Sequence, residues 1–160
     1  MHSAIIQVSP KPIRKSEHMN DLSVVGSSVL EARADYYGEE LDRGERKDNI
    51  EILKEMLSGI AEWNPARRRF EVKSPEKAFA VFTKWLKDTL ASSAETVDRK
   101  GMDWVASPWH IRKNLEEFRG SSFLFFGCGS VETSADFVRS LVCGEYGKYL
   151  YVGNMLDYQF

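Results

Sequence analysis

The sequence has few cysteines and no long apolar run. Cys128 and Cys143 are its two cysteines, and their spacing fits neither a disulfide framework nor a Cys-x-x-Cys zinc or redox motif. Nothing approaches the roughly 20 consecutive apolar residues of a membrane-spanning helix. The first residues also lack the basic and then apolar segments of a secretory signal. We therefore expect no membrane association and a reducing, cytoplasmic environment.

The sequence also lacks a charge excess and clustered histidines. With 22 basic and 24 acidic residues, the net charge is −2, so no overall field draws the chain to nucleic acid or to an anionic membrane. His2, His18 and His110 are isolated, and no pair of them has the spacing that places two imidazoles on one helical face. The sequence predicts no metal site.

The residues that are present fit one globular domain, 1–160, with an aromatic-rich core. The chain is 42% hydrophobic and 12% aromatic, and its length is enough to bury a core without disulfides. Helical and strand patterns interleave without a strict βαβ alternation, which predicts an α+β fold with a mixed sheet of about four strands and four to five helices. The strands are predicted near 4–8, 69–73, 122–127 and 148–153, and the helices near 19–32, 49–62, 75–92, 108–119 and 134–143.

Turn and cap residues set these boundaries. Ser-Pro pairs at 74–75 and 107–108 each offer a capping hydroxyl followed by a preset φ, which is typical of a helix start. Asp48 and Glu51 have the spacing of a capping box for the helix near 49–62. Residues 36–48 contain glycine and many charges, so we predict a solvated, mobile loop there.

The segment 123–142 is the most informative candidate site. An apolar run ends at Gly127-Cys128-Gly129-Ser130, and a helical pattern begins near Ser134. Such a turn can bind an anion through Gly127, Gly129 and Ser130, with Arg112 arriving from the preceding helix. It can instead present Cys128 as a nucleophile with His110 as its base. It can also simply end a strand before a helix capped by Thr133 or Ser134, and this structural interpretation is the one we favour.

The phrase Phe-Phe-Gly-Cys-Gly-Ser, which ends at Ser130, resembles the strand-end glycine loop of class I methyltransferases. The resemblance covers about eight residues and implies S-adenosylmethionine as a ligand. The position of the third glycine in the dinucleotide pattern Gly-x-Gly-x-x-Gly is occupied by Glu132, and 30 residues follow Ser130. We predict no cofactor.

Two other groups of residues are candidates for binding. Arg67-Arg68-Arg69 is the one basic cluster and can hold phosphates, although a solvated turn is the favoured interpretation and no nucleic-acid partner is expected. Trp104 and the pair Tyr36-Tyr37 lie in predicted loops, where rigid aromatic side chains make good anchors for a protein partner. Trp109 is expected in the core.

These patterns predict a non-enzymatic binding or protein-interaction module, with self-association as one form of that function. The alternative is a small enzyme, or a protein that binds an anionic or nucleotide ligand, with its site at 123–142.

Overall fold

A computed structural model describes residues 2–100 and 108–160, which form seven strands and six helices. The strands are β1 (His2–Ser9), β2 (Tyr36–Glu40), β3 (Ala61–Asn64), β4 (Arg69–Val72), β5 (Leu124–Gly127), β6 (Ser130–Thr133) and β7 (Tyr149–Gln159). The helices are α1 (Asp21–Val24), α2 (Ser28–Glu31), α3 (Arg43–Met56), α4 (Pro75–Lys100), α5 (Pro108–Glu116) and α6 (Ser134–Val142).

The seven strands form one mixed sheet around β7 and β1. The order is β3-β4-β7-β1-β5-β6, and β2 pairs with the second half of β7, on the edge whose first half pairs with β4. β1 and β5 are parallel, whereas the other pairs are antiparallel. β7, the longest strand, therefore contacts three other strands.

Apolar residues cover one face of the sheet and part of the other. The larger core cluster joins α3, α4 and α6 to one face, through residues such as Leu53, Ala78 and Phe137. The smaller cluster joins α1 and α2 to the other face, through Val24 and Leu30. Because both faces of β1 are covered, its residues from Ala4 to Val8 are all buried.

A β-bulge lies in the middle of β7. Ile6 pairs with Met155 and Val8 pairs with Val152, so Gly153 and Asn154 both stand opposite Gln7. The Gln7 side chain accepts hydrogen bonds from the backbone N–H groups of Asn154 (3.1 Å) and Met19 (3.0 Å) and donates one to the carbonyl of Glu17 (2.7 Å). One buried side chain thus holds both the bulge and the segment that follows β1.

The α+β class is confirmed, but the sequence understates the sheet, since seven strands form instead of about four. The strand predicted near 148–153 continues to Gln159, because Gly153 sits in the bulge and does not end the strand. β3 and β6 were not predicted. Each is four residues long and pairs with its neighbour along the chain through a short hairpin.

Residues 36–48 form β2 and the first turns of α3, so the predicted loop there is wrong. Asp42 is the true N-cap of α3: its carboxylate accepts from the N–H groups of Gly44 and Glu45, and the Glu45 carboxylate accepts from the Asp42 N–H. This capping box begins six residues before the one predicted at Asp48. The mobility of this segment stays a prediction.

The other predicted helices also change their limits. The helix near 49–62 ends at Met56, the helix near 75–92 extends to Lys100, and the helix near 108–119 ends at Glu116 before a 3₁₀ turn. The helix near 19–32 divides into α1 and α2 because Gly26 has a φ of +78° and Ser27 caps a new helix. None of the helices in the described ranges combines the length and apolar character needed to cross a bilayer.

We expect Gln7→Ala to lower the free energy of unfolding by about 2–4 kcal/mol, because two buried N–H groups would lose their acceptor. Urea denaturation followed by circular dichroism measures the change. Gln159→Ala, which removes a partly buried glutamine side chain from the end of the same sheet, is the matched control and should cost less than about 1 kcal/mol. Equal losses in the two variants would contradict the role assigned to Gln7.

Candidate functional site

The glycine turn at 127–130 is a two-residue β-hairpin. Cys128 and Gly129 have φ values of 52° and 83° and connect β5 to β6, in which Gly127 pairs with Ser130. Positive φ at both central residues is the geometry of a type I′ turn. The chain therefore passes from strand to strand here, and not from strand to helix as in the methyltransferase loop that the sequence resembles.

The helix that was expected after the glycines begins at the far end of β6. Thr133 caps α6, since its hydroxyl accepts a hydrogen bond from the N–H of Asp136 at 3.2 Å. The four residues of β6 span about 13 Å, so the amides of the glycine turn and those of the helix N-terminus do not converge on one anion.

Gly127 itself has a packing role. A Cβ built at this position would overlap the hydroxyl of Tyr146 and would lie 3.0 Å from its Cζ. Tyr146 is buried and its ring packs edge-on against Phe137 in the larger core cluster. The glycine leaves the room that this tyrosine occupies.

Cys128 and the residues predicted to act with it lie at opposite ends of β5. Cys128 is exposed and lines an open groove of about 720 Å³ with Lys11 and Arg14, which follow β1. Arg112 lines a different cleft, with Tyr158 at the end of β7, and β7 runs antiparallel to β1. His110 is on α5 with Arg112, where its ring contacts that of Trp109. The structure does not bring His110 or Arg112 to Cys128.

Glu132, on β6, is in an unfavourable environment for a carboxylate. Burial raises its pKa, and the nearby carboxylates of Asp136 and Glu145 raise it further. Its Oε2 is buried and has no hydrogen-bond partner among the described residues. Burial also raises the pKa of Tyr146, and the negative charge of Glu132 raises it further.

A cleft lies between the chain that follows α2, helix α5 and the end of β7. It has a volume of about 290 Å³, and its lining combines an apolar group with charges of both signs. The apolar group is Ala32, Trp109, Tyr158 and Phe160, and the charged group is Arg33, Asp35, Arg112, Lys113, Glu116 and Glu117.

An ion-pair network forms the charged wall of this cleft. Arg33 pairs with Glu116 and approaches Glu117 to 3.6 Å, and Arg112 Nε lies 2.6 Å from Glu116 Oε1. Burial acts to raise the pKa of Glu116, but the hydrogen bonds from Arg112 and Arg33 outweigh it and the pKa is lowered. Burial raises the pKa of Glu117. Arg33 thus joins α5 to the chain that follows α2.

Trp109 lies at the rim of the cleft and is 60% exposed, so the expectation that it belongs to the core is wrong. The Lys113 Nζ is 5.1 Å from the centroid of its ring, and the His110 ring contacts it edge-on at 5.1 Å. At the other side, Phe160 stacks on Tyr158, whose hydroxyl donates a hydrogen bond to the carbonyl of Ser122.

Of the aromatic residues predicted to bind a partner, Tyr36 lies beside this cleft. It is 49% exposed and follows Asp35, a cleft residue whose N–H donates to the carbonyl of Gln159. Tyr37 points the other way and packs against the smaller core cluster. Trp104 lies outside the described residues.

The basic cluster is at the turn between β3 and β4. Arg67 and Arg68 are exposed, and Arg68 has a φ of 50°. Arg69 is the first residue of β4, and its side chain lies on the sheet against Tyr149 and Tyr151. The turn was predicted, but the two tyrosines were not, since they are about 80 residues further along the chain.

We expect Gly127→Ala to destabilise the protein by about 1–3 kcal/mol, because the new methyl group overlaps the Tyr146 hydroxyl. Tyr146→Phe removes that hydroxyl and should recover part of the loss in the double variant. A double-mutant cycle by urea denaturation measures the coupling. Strictly additive effects would contradict the packing role of Gly127.

We expect Glu132→Gln to stabilise the protein at neutral pH. When a carboxyl has a higher pKa in the folded state than in the unfolded state, its contribution to folding stability falls as the pH rises. The fall begins near the unfolded-state pKa, about 4.3, and continues through the folded-state pKa. The advantage of Glu132→Gln should therefore vanish below a pH of about 4, where Glu132 is protonated in both states. Urea denaturation across this range tests it, with the exposed Asp98→Asn as control. A pH-independent difference between Glu132→Gln and wild type would rule the explanation out.

No protein-family model, no curated protein and no solved structure matches this chain.

Proposed function

We propose that the chain is a binding module that docks a protein partner at the cleft between α2 and α5, with Trp109 as the anchor. The observation that carries this proposal is the exposure of Trp109 at the rim of a cleft lined by both apolar and charged side chains. An exposed tryptophan leaves a large apolar area in water, and tryptophan is among the residues that contribute most to binding energy at interfaces.

The surroundings of Trp109 favour binding because the neighbouring side chains already contact one another. Lys113 and His110 contact the ring on the same helix, and Glu116 is held by two arginines. Side chains that are fixed before association lose little conformational entropy on binding. The charged residues around the aromatic group also supply the polar rim that is typical of protein interfaces.

The size of the cleft favours side chains of a partner over a cofactor. Its volume of about 290 Å³ is at the lower limit of small-molecule pockets, which range over roughly 300–1,000 Å³. We therefore infer that one or two apolar side chains of the partner enter the cleft beside Trp109 and Phe160, while polar groups of the partner meet Arg112 and Lys113.

The nearby edge of β2 is a poorer docking site. β2 pairs with β7 alone among the described strands, so its outer edge is free to accept another strand. However, the register between β2 and β7 shifts at residues 38–39, and both Glu39 and Glu40 are exposed. Irregular and charged edges discourage strand addition. The partner is thus expected to dock through side chains.

A peptide selection tests the proposal. Peptides from a random display library are selected on the folded protein, and their affinities are measured by titration calorimetry with wild type, Trp109→Ala and Phe79→Ala. Phe79 is the matched control because it is also exposed (54%) but lies on α4. We expect Trp109→Ala to weaken binding about tenfold or more, which is at least about 1.4 kcal/mol, and Phe79→Ala to leave it unchanged.

The same variants test a second copy of the chain as the partner. Light scattering would then show a dimer for wild type and Phe79→Ala and a monomer for Trp109→Ala. The proposal fails if selected peptides bind Trp109→Ala as tightly as wild type, or if neither peptide binding nor association depends on Trp109. Because Trp109 is exposed, Trp109→Ala should change the free energy of unfolding by no more than about 0.5 kcal/mol.

A further inference from the structure

A second surface lies on the sheet, over β3, β4 and the first half of β7. Its side chains project from the face opposite the larger core, because Phe70 and Leu150 point into that core while their neighbours point away. The smaller core cluster, which lies on this side of the sheet under α1 and α2, contains no residue of β3 or β4. We call this surface the tyrosine face. It comprises Glu62, Asn64, Arg69, Glu71, Tyr149 and Tyr151, together with Arg67, Arg68, Lys73 and Lys148 at its margins.

Arg69 organises the centre of the tyrosine face. Its guanidinium carbon lies 3.6 Å from the centroid of the Tyr149 ring and 5.8 Å from that of Tyr151. It donates hydrogen bonds to the Tyr151 hydroxyl at 3.0 Å and to Glu71 at 3.1 Å. The two rings and the guanidinium plane are therefore held in place as one group of flat, polarisable surfaces.

The margins of this face are positively charged. Five basic side chains and two carboxylates belong to it, a local excess of three positive charges in a chain whose net charge is −2. Both carboxylates are already paired, Glu71 with Arg69 (3.1 Å) and Glu62 with Lys73 (2.9 Å). Arg67 and Arg68 are exposed at the β3–β4 turn, and Lys148 is exposed just before β7, 5.6 Å from the centroid of the Tyr149 ring.

We propose that the tyrosine face binds single-stranded nucleic acid. Phosphates would meet Arg67, Arg68 and Lys148, and unpaired bases would stack on the rings and guanidinium between them. Stacking is worth about 1–3 kcal/mol per base, and every base has a face that can stack. A duplex keeps its base faces covered, so it can satisfy the cations but not the rings. The site is separate from the cleft at Trp109 and does not depend on the function proposed for that cleft.

Fluorescence anisotropy with labelled single-stranded RNA and DNA of about 12 nucleotides tests the proposal. Duplexes of the same sequences are measured for comparison. Single strands should bind more tightly than duplexes. The paired variant Arg67→Gln with Arg68→Asn removes two cations, and asparagine is used because it tolerates the positive φ of residue 68. This variant should weaken binding and reduce the slope of log K against log salt by about 1.4 for the two lost phosphate contacts.

Two further sets of variants serve as controls. One tests whether the position of the lost charges matters, and the other tests whether the Tyr151 ring contributes to binding. Arg43→Gln with Lys47→Gln removes the same charge from exposed positions on α3 and should leave affinity within about twofold of wild type. Tyr151→Phe keeps the ring but removes the hydroxyl that Arg69 binds, so it should lose less affinity than Tyr151→Leu, which should lose about tenfold. If Tyr151→Leu does not fold, the paired arginine variant and its control still decide the question.

Three results would each overturn the proposal. The first is that wild type binds neither RNA nor DNA single strands at low salt. The second is that the α3 control pair loses as much affinity as the pair at the β3–β4 turn. The third is that duplexes bind as tightly as single strands, because stacking on the tyrosines would then contribute nothing. A preference for RNA over DNA, or the reverse, would identify which single-stranded nucleic acid the tyrosine face binds.

Discussion

The Gln7 side chain holds the bulge on which the two-sided packing of the sheet depends. Before the bulge, Leu150 and Val152 face the larger core, and after it Met155 faces that same core while Leu156 and Tyr158 face the smaller one. Without the extra residue, alternation would exchange the two faces from Met155 onward. Gln7 fixes this step by binding the backbone of Asn154, and the Asn154 amide in turn binds the carbonyl of Met19 and the carboxylate of Glu40.

The same strand places the two proposed binding surfaces at its two ends. Before the bulge, Tyr149 and Tyr151 lie on the tyrosine face with Arg69. After the bulge, Tyr158 is buried beneath α2 and contributes, with Phe160, to the cleft at Trp109. On the face opposite the larger core, the first half of β7 is therefore open to solvent, whereas α1 and α2 cover the second half.

Local signals in the sequence predicted much of the fold. Strand β1, helix α6 and the helix start at Pro75 follow from short patterns of apolar, capping and proline residues, and the structure contains them. The errors arise where such a signal has two meanings. Gly153 can end a strand or form a bulge, and only its pairing with Gln7 decides. Asp42 and Asp48 each stand three residues before a glutamate, and burial of Leu53 and Met56 does not distinguish them.

The candidate sites also show what local sequence patterns can and cannot predict. Gly127-Cys128-Gly129 is conspicuous because its residues are adjacent, and its explanation is also local: a two-residue hairpin turn and room for Tyr146. The cleft network joins Arg33 to Glu116, and the tyrosine face joins Arg69 to Tyr151, pairs separated by 83 and 82 residues. The spacing of Arg112 and Glu116 predicts an ion pair within one helix, but no nearby residue predicts that Arg33 also pairs with Glu116. Strand pairing brings Arg69 to Tyr151, and the packing of α5 against the chain after α2 brings Arg33 to Glu116, so neither surface can be identified before the tertiary structure is known.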